Sequence, residues 1–376
     1  MIDAQDRLIL WLHYGTELHY KLFARIRETY FYLEEALEDV KKGDFSRFPP
    51  NMKEETRQRL KDASRDGFMD RYCSWMDKKG VGILTVDAYA YPSLLKEISD
   101  PPPVLFYRGH WEGDPPLPVA LVGTRRCTDY GRDTARQFGR ELAQSGATVV
   151  TGLATGIDAY GALGALECKE AEHPVIGVLG CGIDVVYPKG NERLYEAVAA
   201  RGCLFTEFMP KTPPLGHHFP YRNRIISGLS QGVVVVEAGE KSGASITAGL
   251  ALEQGREVFA VPGRITDPMS SGTNRMLRRG EARLITSVGE ILEEFGLESG
   301  EESVPAVNFR DLTLLEKDIY RALSQGEKNE DELLDRLDCD VGDLISTLTS
   351  MTFSGIIKQL PGSLYALDPM SARVVY

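Results

Sequence analysis

The sequence predicts an α/β fold: a Rossmann-like, doubly wound, mostly parallel sheet, with a small helical domain before it and a winged helix after it. Three observations carry this. From Pro118 onward, short unbroken β-branched runs such as VALVG, VVVVEA and VFAVPG alternate with amphipathic stretches of helical length. That is the pattern of parallel strands buried on both faces and joined by crossover helices. Residues 1–80 carry apolar positions at helical spacing only, and the end of the chain reads as helices followed by a hairpin.

In residues 1–80, Leu8, Trp11, Leu12 and then Leu18, Leu22, Ile26 recur at helical intervals, and one further helix is expected from Lys53 through Trp75. A sterile-α-motif or helix-hairpin-helix-like unit fits this outline. The glycine turn with which helix-hairpin-helix clamps hold a nucleic-acid backbone is not evident, and the segment is rich in Asp and Glu. A packing or interaction domain is therefore expected. Residues 81–297 form the extended Rossmann-like domain. Its opening, GVGILTVDAYAYPSLLKEISDPPPVLFYRG, reads strand, helix, strand and extends the sheet that follows. Strands are then expected at VALVGT, ATVVTGL, VIGVLG, LFTEF, VVVVEA, VFAVPG and RLIT. Residues 298–309 read as a linker, from the Glu/Ser/Gly composition of ESGEESVP. In the winged-helix domain, 310–376, helices are expected around Thr313–Leu323, Asp331–Leu337 and Val341–Phe353, then a hairpin turning at Pro361-Gly362. The third helix is the one that enters a DNA groove in such domains. Here it carries no Lys or Arg, so a protein-contact or regulatory role is expected instead.

Composition narrows the function classes. The 376 residues leave room for two or three domains, and 43% hydrophobic with 26% charged residues is ordinary for a water-soluble globular protein. A net charge of -12 excludes a uniformly basic surface, so any polyanion contact has to come from a local cluster of cations. The six cysteines (Cys73, Cys127, Cys168, Cys181, Cys203, Cys339) show no C-x-x-C pair and no matching histidine spacing. A reduced, cytoplasmic chain without a structural metal is expected. MIDAQDRLILWLHYG resembles neither a signal peptide nor a bilayer span, so no membrane partner is expected.

The chemistry-bearing stretch is His217–Gly263: a short helix with Ile225, Ile226 and Leu229 on one side, a buried strand, the loop GEKSGAS, a second helix and a second strand. Loop amides and the positive end of that second helix converge where an anion is stabilised. The other strands also end in glycine-rich loops, GTRRCTDYG, TGLATGID and GCGIDVVYPKGN, and ligands of such sheets sit at those carboxyl ends. Five cations, Arg125, Arg126, Lys189, Arg222 and Arg224, are expected on one rim. Glu207 and Glu237 end buried strands and are expected to pair with these arginines. The G-x-G-x-x-G fingerprint is missing, so no dinucleotide or other cofactor is expected. Asp158 and Asp184, in the matched fragments TGIDA and CGIDV, read as cap or turn residues. Ser242 and Ser245 lack His–Asp partners, and His217 and His218 are badly spaced for a shared metal. No catalytic residue is expected.

GTRR, TGLATGID, LGCGIDVVYPKGN, HFPYRNRIISGLS, VVVVEA, SGASITA and FAVPG, in this order and spacing, resemble the DNA-processing protein A family (DprA, also called Smf), over Pro118 to Leu297. The resemblance implies a bacterial protein without enzymatic activity. It would bind single-stranded DNA, dimerise through its Rossmann-like domain and help load the RecA recombinase onto incoming DNA in natural transformation. By motif position the DNA-binding set is Gly123, Thr124, Arg125 and Arg126, Lys189, Phe219, Arg222, Asn223 and Arg224, with Ser242, Gly243 and Ser245 of the anion loop. The segment SSGTNRMLRRGEARLIT aligns with the family's dimer surface and puts Asn274, Leu277 and Leu284 in it. The alternative class is a nucleotide phosphoribohydrolase of the lysine-decarboxylase-like kind. That class requires a P-G-G-x-G-T-x-x-E loop, and EAGEKSGASITA lacks its second half.

Overall fold

The chain begins with helices, and the first is the hub of its region. In the computed structural model, which describes residues 2–297, 306–368 and 373–375, α1 (Ala4–Thr16) starts where the Asp3 carboxylate accepts from the amide of Asp6. Its residues Ile9 to Leu12 are all buried, and Trp11 Nε1 donates to the Leu60 carbonyl of α4 (Glu54–Ala63). Between them come α2 (Tyr20–Thr29) and α3 (Leu33–Lys42). The single helix expected from Lys53 to Trp75 is two. After Ala63 the chain turns through Gly67, at φ 72°, and resumes as α5 (Phe68–Lys79). A left-handed residue cannot continue a helix and is cheapest as glycine.

These helices are fastened to the sheet. His13 Nε2 lies 2.9 Å from the carbonyl oxygen of Glu207, and burial lowers the imidazole pKa to about 4. The ring is therefore neutral at pH 7 and donates that bond. Tyr221 Oη donates to the Leu18 carbonyl in the same region. The expected boundary at 80/81 falls between α5 and the first strand, and residues 1–299 form one compact unit.

The sheet has nine strands: β1 (Gly82–Thr85), β2 (Val104–Gly109), β3 (Pro118–Val122), β4 (Thr148–Thr151), β5 (Val175–Val178), β6 (Cys203–Thr206), β7 (Gly232–Val235), β8 (Glu257–Ala260) and β9 (Arg283–Leu284). Their order is β1-β2-β6-β5-β4-β3-β7-β8-β9. All neighbours from β6 to β9 pair in parallel, whereas β2 runs antiparallel to both β1 and β6. The chain winds outward from β3 to β6, then returns to lay β7 on the other side of β3. That return is the topological switch point of a doubly wound sheet, and a crevice opens there at the carboxyl ends of the strands.

The strands lack polar alternation because both faces are covered. Val119 and Leu121 of β3 join one buried cluster with α7 (Asp129–Gln144), α8 (Ile157–Glu167), α9 (Glu192–Arg201) and α13 (Val288–Glu294). Ala120 and Val122 join the other with α6 (Ser93–Lys96), α10 (His218–Gly228), α11 (Gly243–Glu253) and α12 (Ser271–Arg279). Each fully buried Val or Leu in these layers contributes about 1.5–3 kcal/mol relative to exposure.

The second unit, 300–376, is a winged helix. Of the expected linker, 298–309, residues 298–305 lie outside the described residues, while its end is not a linker but β10 (Ala306–Asn308), paired in parallel with β14 (Arg373–Val375). Capping boxes start α14 (Leu314–Leu323) and α15 (Glu330–Leu334), and Asp340 caps α16 (Val341–Phe353). A three-stranded sheet of β11 (Lys328–Asn329), β13 (Leu364–Leu367) and β12 (Ile357–Leu360) completes it around Ile319, Leu333, Leu344 and Leu348. Among the described residues no helix is long and apolar enough to cross a membrane.

Candidate nucleic-acid interface

Loops from the carboxyl ends of the central strands are tied together by the backbone. After β3, Thr124 N donates to the Glu237 carbonyl at the end of β7, and the Thr124 carbonyl accepts from Ile157 N at the start of α8. Gly156, at φ 79°, sits so close to Thr124 and Arg125 that a Cβ would overlap their backbone. Asn191 Nδ2, past the end of β5, donates to the Leu153 carbonyl past the end of β4. Thr124 Oγ1 contacts Met269 Sδ at 3.8 Å. A rigid edge results, with little freedom lost on binding a ligand.

On this edge an aromatic and a cation stack. The ring of Phe219, half-buried at the start of α10, lies 5.2 Å from that of Tyr187, and the Arg125 guanidinium is 5.3 Å from its centroid. Gly180 lets the Phe219 ring approach, since a Cβ there would stand 2.8 Å from it. Lys189, two residues beyond Tyr187, is exposed, as are Arg125 and Arg126. None of these three cations forms an ion pair among the described residues. Phe219 thus packs on the loop after β5 and also offers a face to the rim.

Two of the five expected rim cations are not on the rim. Arg222 is 3% and Arg224 4% exposed. Arg222 Nη1 donates to the carbonyls of Gly152 and Val178, clamping the ends of β4 and β5, with the buried Asp158 carboxylate beside it. Arg224 donates from Nε to Asp100 at 2.9 Å and from Nη2 to Glu207 at 2.7 Å, and its guanidinium lies over the Tyr221 ring. A buried guanidinium is tolerated only when paired and hydrogen-bonded, so both arginines are held by the interior. Between them on the same helix, Asn223 is half-exposed, and its Nδ2 lies 3.5 Å from the Gly243 carbonyl.

The carboxylates divide similarly. Glu207 pairs with Arg224 as expected; burial pushes its pKa up to about 7 against the pull of that arginine. Glu237 pairs with no arginine among the described residues. Its two oxygens accept from Thr128 N at 3.0 Å and Thr128 Oγ1 at 2.5 Å, and Thr128 in turn caps α7. Asp158 is not a cap. It sits in the first turn of α8, fully buried, and accepts from the backbone amides of Gly152, Ala154 and Gly123. Burial raises its pKa despite Arg222. Asp184 accepts from Lys211 N, 27 residues on, and so ties its loop to the one past β6. His217 and His218 rings meet edge-on, and no metal-competent cluster of His, Cys, Asp or Glu occurs among the described residues.

Ser242 caps α11, its Oγ accepting from Ala244 N, with Gly243 exposed at the helix start. Ser245 Oγ is buried with no hydrogen-bond partner. At the far edge, Leu277 is half-buried on α12 and Leu284 is 51% exposed on β9. Leu284 is not the inward residue of an edge strand. Asn274 spends its amide on Gly263, donating to its carbonyl and accepting from its N–H. Three further exposed side chains lie near these loops and were not among the expected site residues: Tyr130 in the first turn of α7, Lys241 past β7 and Arg264 past β8. The arginine directly after FAVPG was the available signal.

The family model described as DNA recombination-mediator protein A matches residues 82–296. The DNA processing protein DprA of Bacillus subtilis is 41% identical over 222 residues, 58% of this chain and 72% of that protein. Protein Smf of Escherichia coli is 36% identical over 295 residues, 77% of this chain and 78% of its own length. The X-ray structure of DprA from Streptococcus pneumoniae, 32% identical, covers 78% of this chain and 99% of its own with a TM-score of 0.64. DNA processing protein A of Helicobacter pylori, solved for its single-stranded DNA binding mode, is 29% identical, with a TM-score of 0.51 over 57% of this chain and 95% of its own. On fold, motif order and identity alike, this chain belongs to the DNA recombination-mediator protein A family.

Proposed function

We propose that this protein binds single-stranded DNA along the carboxyl edge of its sheet and hands it to a RecA-type recombinase during DNA uptake. One observation carries the reading: Arg125, exposed and free of carboxylates, stacks on Phe219 beside Tyr187 and Lys189. Cations neutralise phosphates, and an aromatic face accepts any base, worth about 1–3 kcal/mol per base stacked. Thr124, Arg126, Asn223 and the Ser242–Ser245 loop line the same edge and complete the contact set. Arg222 and Arg224 act from inside, holding the loops that present it. The Helicobacter pylori relative's single-stranded DNA binding supports the same ligand here.

The role is binding, not turnover. Glu237 is engaged by Thr128, and among the described residues no histidine is hydrogen-bonded to Ser242 or Ser245. Two copies pair through α12 and β9, where Leu277 and Leu284 supply the apolar contact; the exposed Leu284 supports this. The test is binding of labelled single-stranded against duplex oligonucleotides, followed by nucleation of the recombinase on strands coated with single-strand-binding protein. Equal affinity for duplex, or nucleotide hydrolysis lost in Glu237→Gln, overturns the reading.

A further inference from the structure

We propose that the binding track does not end at the Ser242–Ser245 loop past β7 but continues to the end of β8 through a second contact set, Lys241, Arg264 and Tyr130. This rests on the single-strand reading above and extends it by these three residues.

The sheet order makes the track linear. The carboxyl ends of β5, β4, β3, β7 and β8 follow one another in parallel register. Each carries its own loop, and the cations fall in sequence along them: Lys189 past β5, Arg125 and Arg126 past β3, Lys241 past β7, Arg264 past β8. Four strand spacings of about 4.8 Å give a rim of about 19 Å. At roughly 3.4 Å of stacked strand per phosphate, that rim spans about five or six nucleotides. A site ending at Arg125 would use two of the four strand spacings, about half of it.

Among the described residues, exposed cations without an ion pair also occur elsewhere in this unit, as at Arg140 and Arg193, so what sets these five apart is their position past the carboxyl ends of neighbouring strands. Arg108, Arg132, Arg136 and Arg224 of the same unit are each tied to a carboxylate. Lys189, Arg125, Arg126, Lys241 and Arg264 are exposed, and none forms an ion pair among the described residues. An anionic strand laid along the rim would meet these exposed cations one strand end after another.

The second half of the rim also has its own aromatic. Tyr130, in the first turn of α7, is 50% exposed, and its Oη reaches the Pro262 carbonyl at 3.3 Å, laying the residue across to the end of β8. The first half stacks Arg125 on Phe219, and the second has Tyr130 bonded to the Pro262 carbonyl two residues before Arg264. The Asn274 amide fixes Gly263, and Gly272 N fixes the Ala238 carbonyl, so the loops past β7 and β8 are held as firmly as the β3 loop.

The experiment measures anisotropy of a labelled oligothymidylate of about twelve nucleotides with the full chain, across a salt series. Arg264→Ala and Lys241→Ala should each flatten the slope of log affinity against log salt by about 0.7, as one lost phosphate contact does. Tyr130→Ala should weaken binding about tenfold at unchanged slope, the effect of one lost stacking platform. Tyr130→Phe should bind as wild type, since the ring stacks without its hydroxyl. Thermal melting and light scattering on each variant check that fold and mass are intact. If Arg125→Ala loses binding while Arg264→Ala, Lys241→Ala and Tyr130→Ala match wild type, the extension is wrong and the shorter site stands. Equal losses in Tyr130→Phe and Tyr130→Ala make the hydroxyl's bond structural and overturn the stacking. A wild-type chain that binds no single strand removes both readings.

Discussion

Arg224→Ala separates interior arginines from rim arginines. Arg224 is 4% exposed and bonded to Glu207, itself 1% exposed, and to Asp100. Removing the guanidinium leaves the Glu207 carboxylate buried beside no cation, and breaking a buried pair from one side costs about 3–5 kcal/mol. That is a large share of a typical domain stability of about 5–15 kcal/mol. The loss appears as a fall in the urea midpoint at unchanged m-value. A second variant checks the cause. Arg224→Met with Glu207→Leu removes both charges and should recover most of the midpoint, because apolar replacement of a buried pair is close to neutral. Single-stranded DNA affinity of whatever remains folded should stay near wild type. An Arg224→Ala protein with an unchanged midpoint and lost DNA binding refutes the assignment and returns Arg224 to the rim.

Glu237→Gln replaces one acceptor of the Thr128 pair by a donor, so it should lower stability by about 1–3 kcal/mol in urea melts, with DNA affinity affected only through the fold. The pH dependence follows from Glu207, whose folded pKa of about 7 lies above the ordinary value of 4.5. The native state then binds more protons than the unfolded one between these values. Stability falls as pH rises from about 4.5 to 7, by up to about 3 kcal/mol, and Glu207→Gln flattens that window. A profile rising through the same window, or one unchanged in the variant, counts against it. Leu277→Glu places a charge twice in a two-fold contact and should yield a folded monomer by light scattering; an unfolded product would make Leu277 core.

Much of this was legible from the chain. The unbroken VVVVEA and VALVG runs announced strands covered on both faces, and the glycine loops after them fall at the carboxyl ends of those strands. What escaped was decided across long separations. Arg222 and Arg224 look like any other cation near a strand end. Their burial depends on Asp100, 124 residues from Arg224, and on the Gly152 carbonyl, 70 residues from Arg222. Glu237 finds Thr128 over 109 residues, and local pattern says nothing of that pairing. The break between α4 and α5 was within reach, since Gly67 stands in the middle of the expected helix. The apolar face simply continued through it, and periodicity outvoted one glycine.

The measurement that bears most directly on the central claim is the salt dependence of single-stranded oligonucleotide binding for wild type, Arg125→Ala and Lys189→Ala. Wild type should prefer single strand to duplex, with log affinity falling about 0.7 per phosphate contact against log salt. Each variant should lose about one contact's worth of slope and affinity while melting like wild type, because neither side chain is paired inside the fold. Slopes unchanged in both variants, or a preference for duplex, would contradict binding at the carboxyl edge of the sheet.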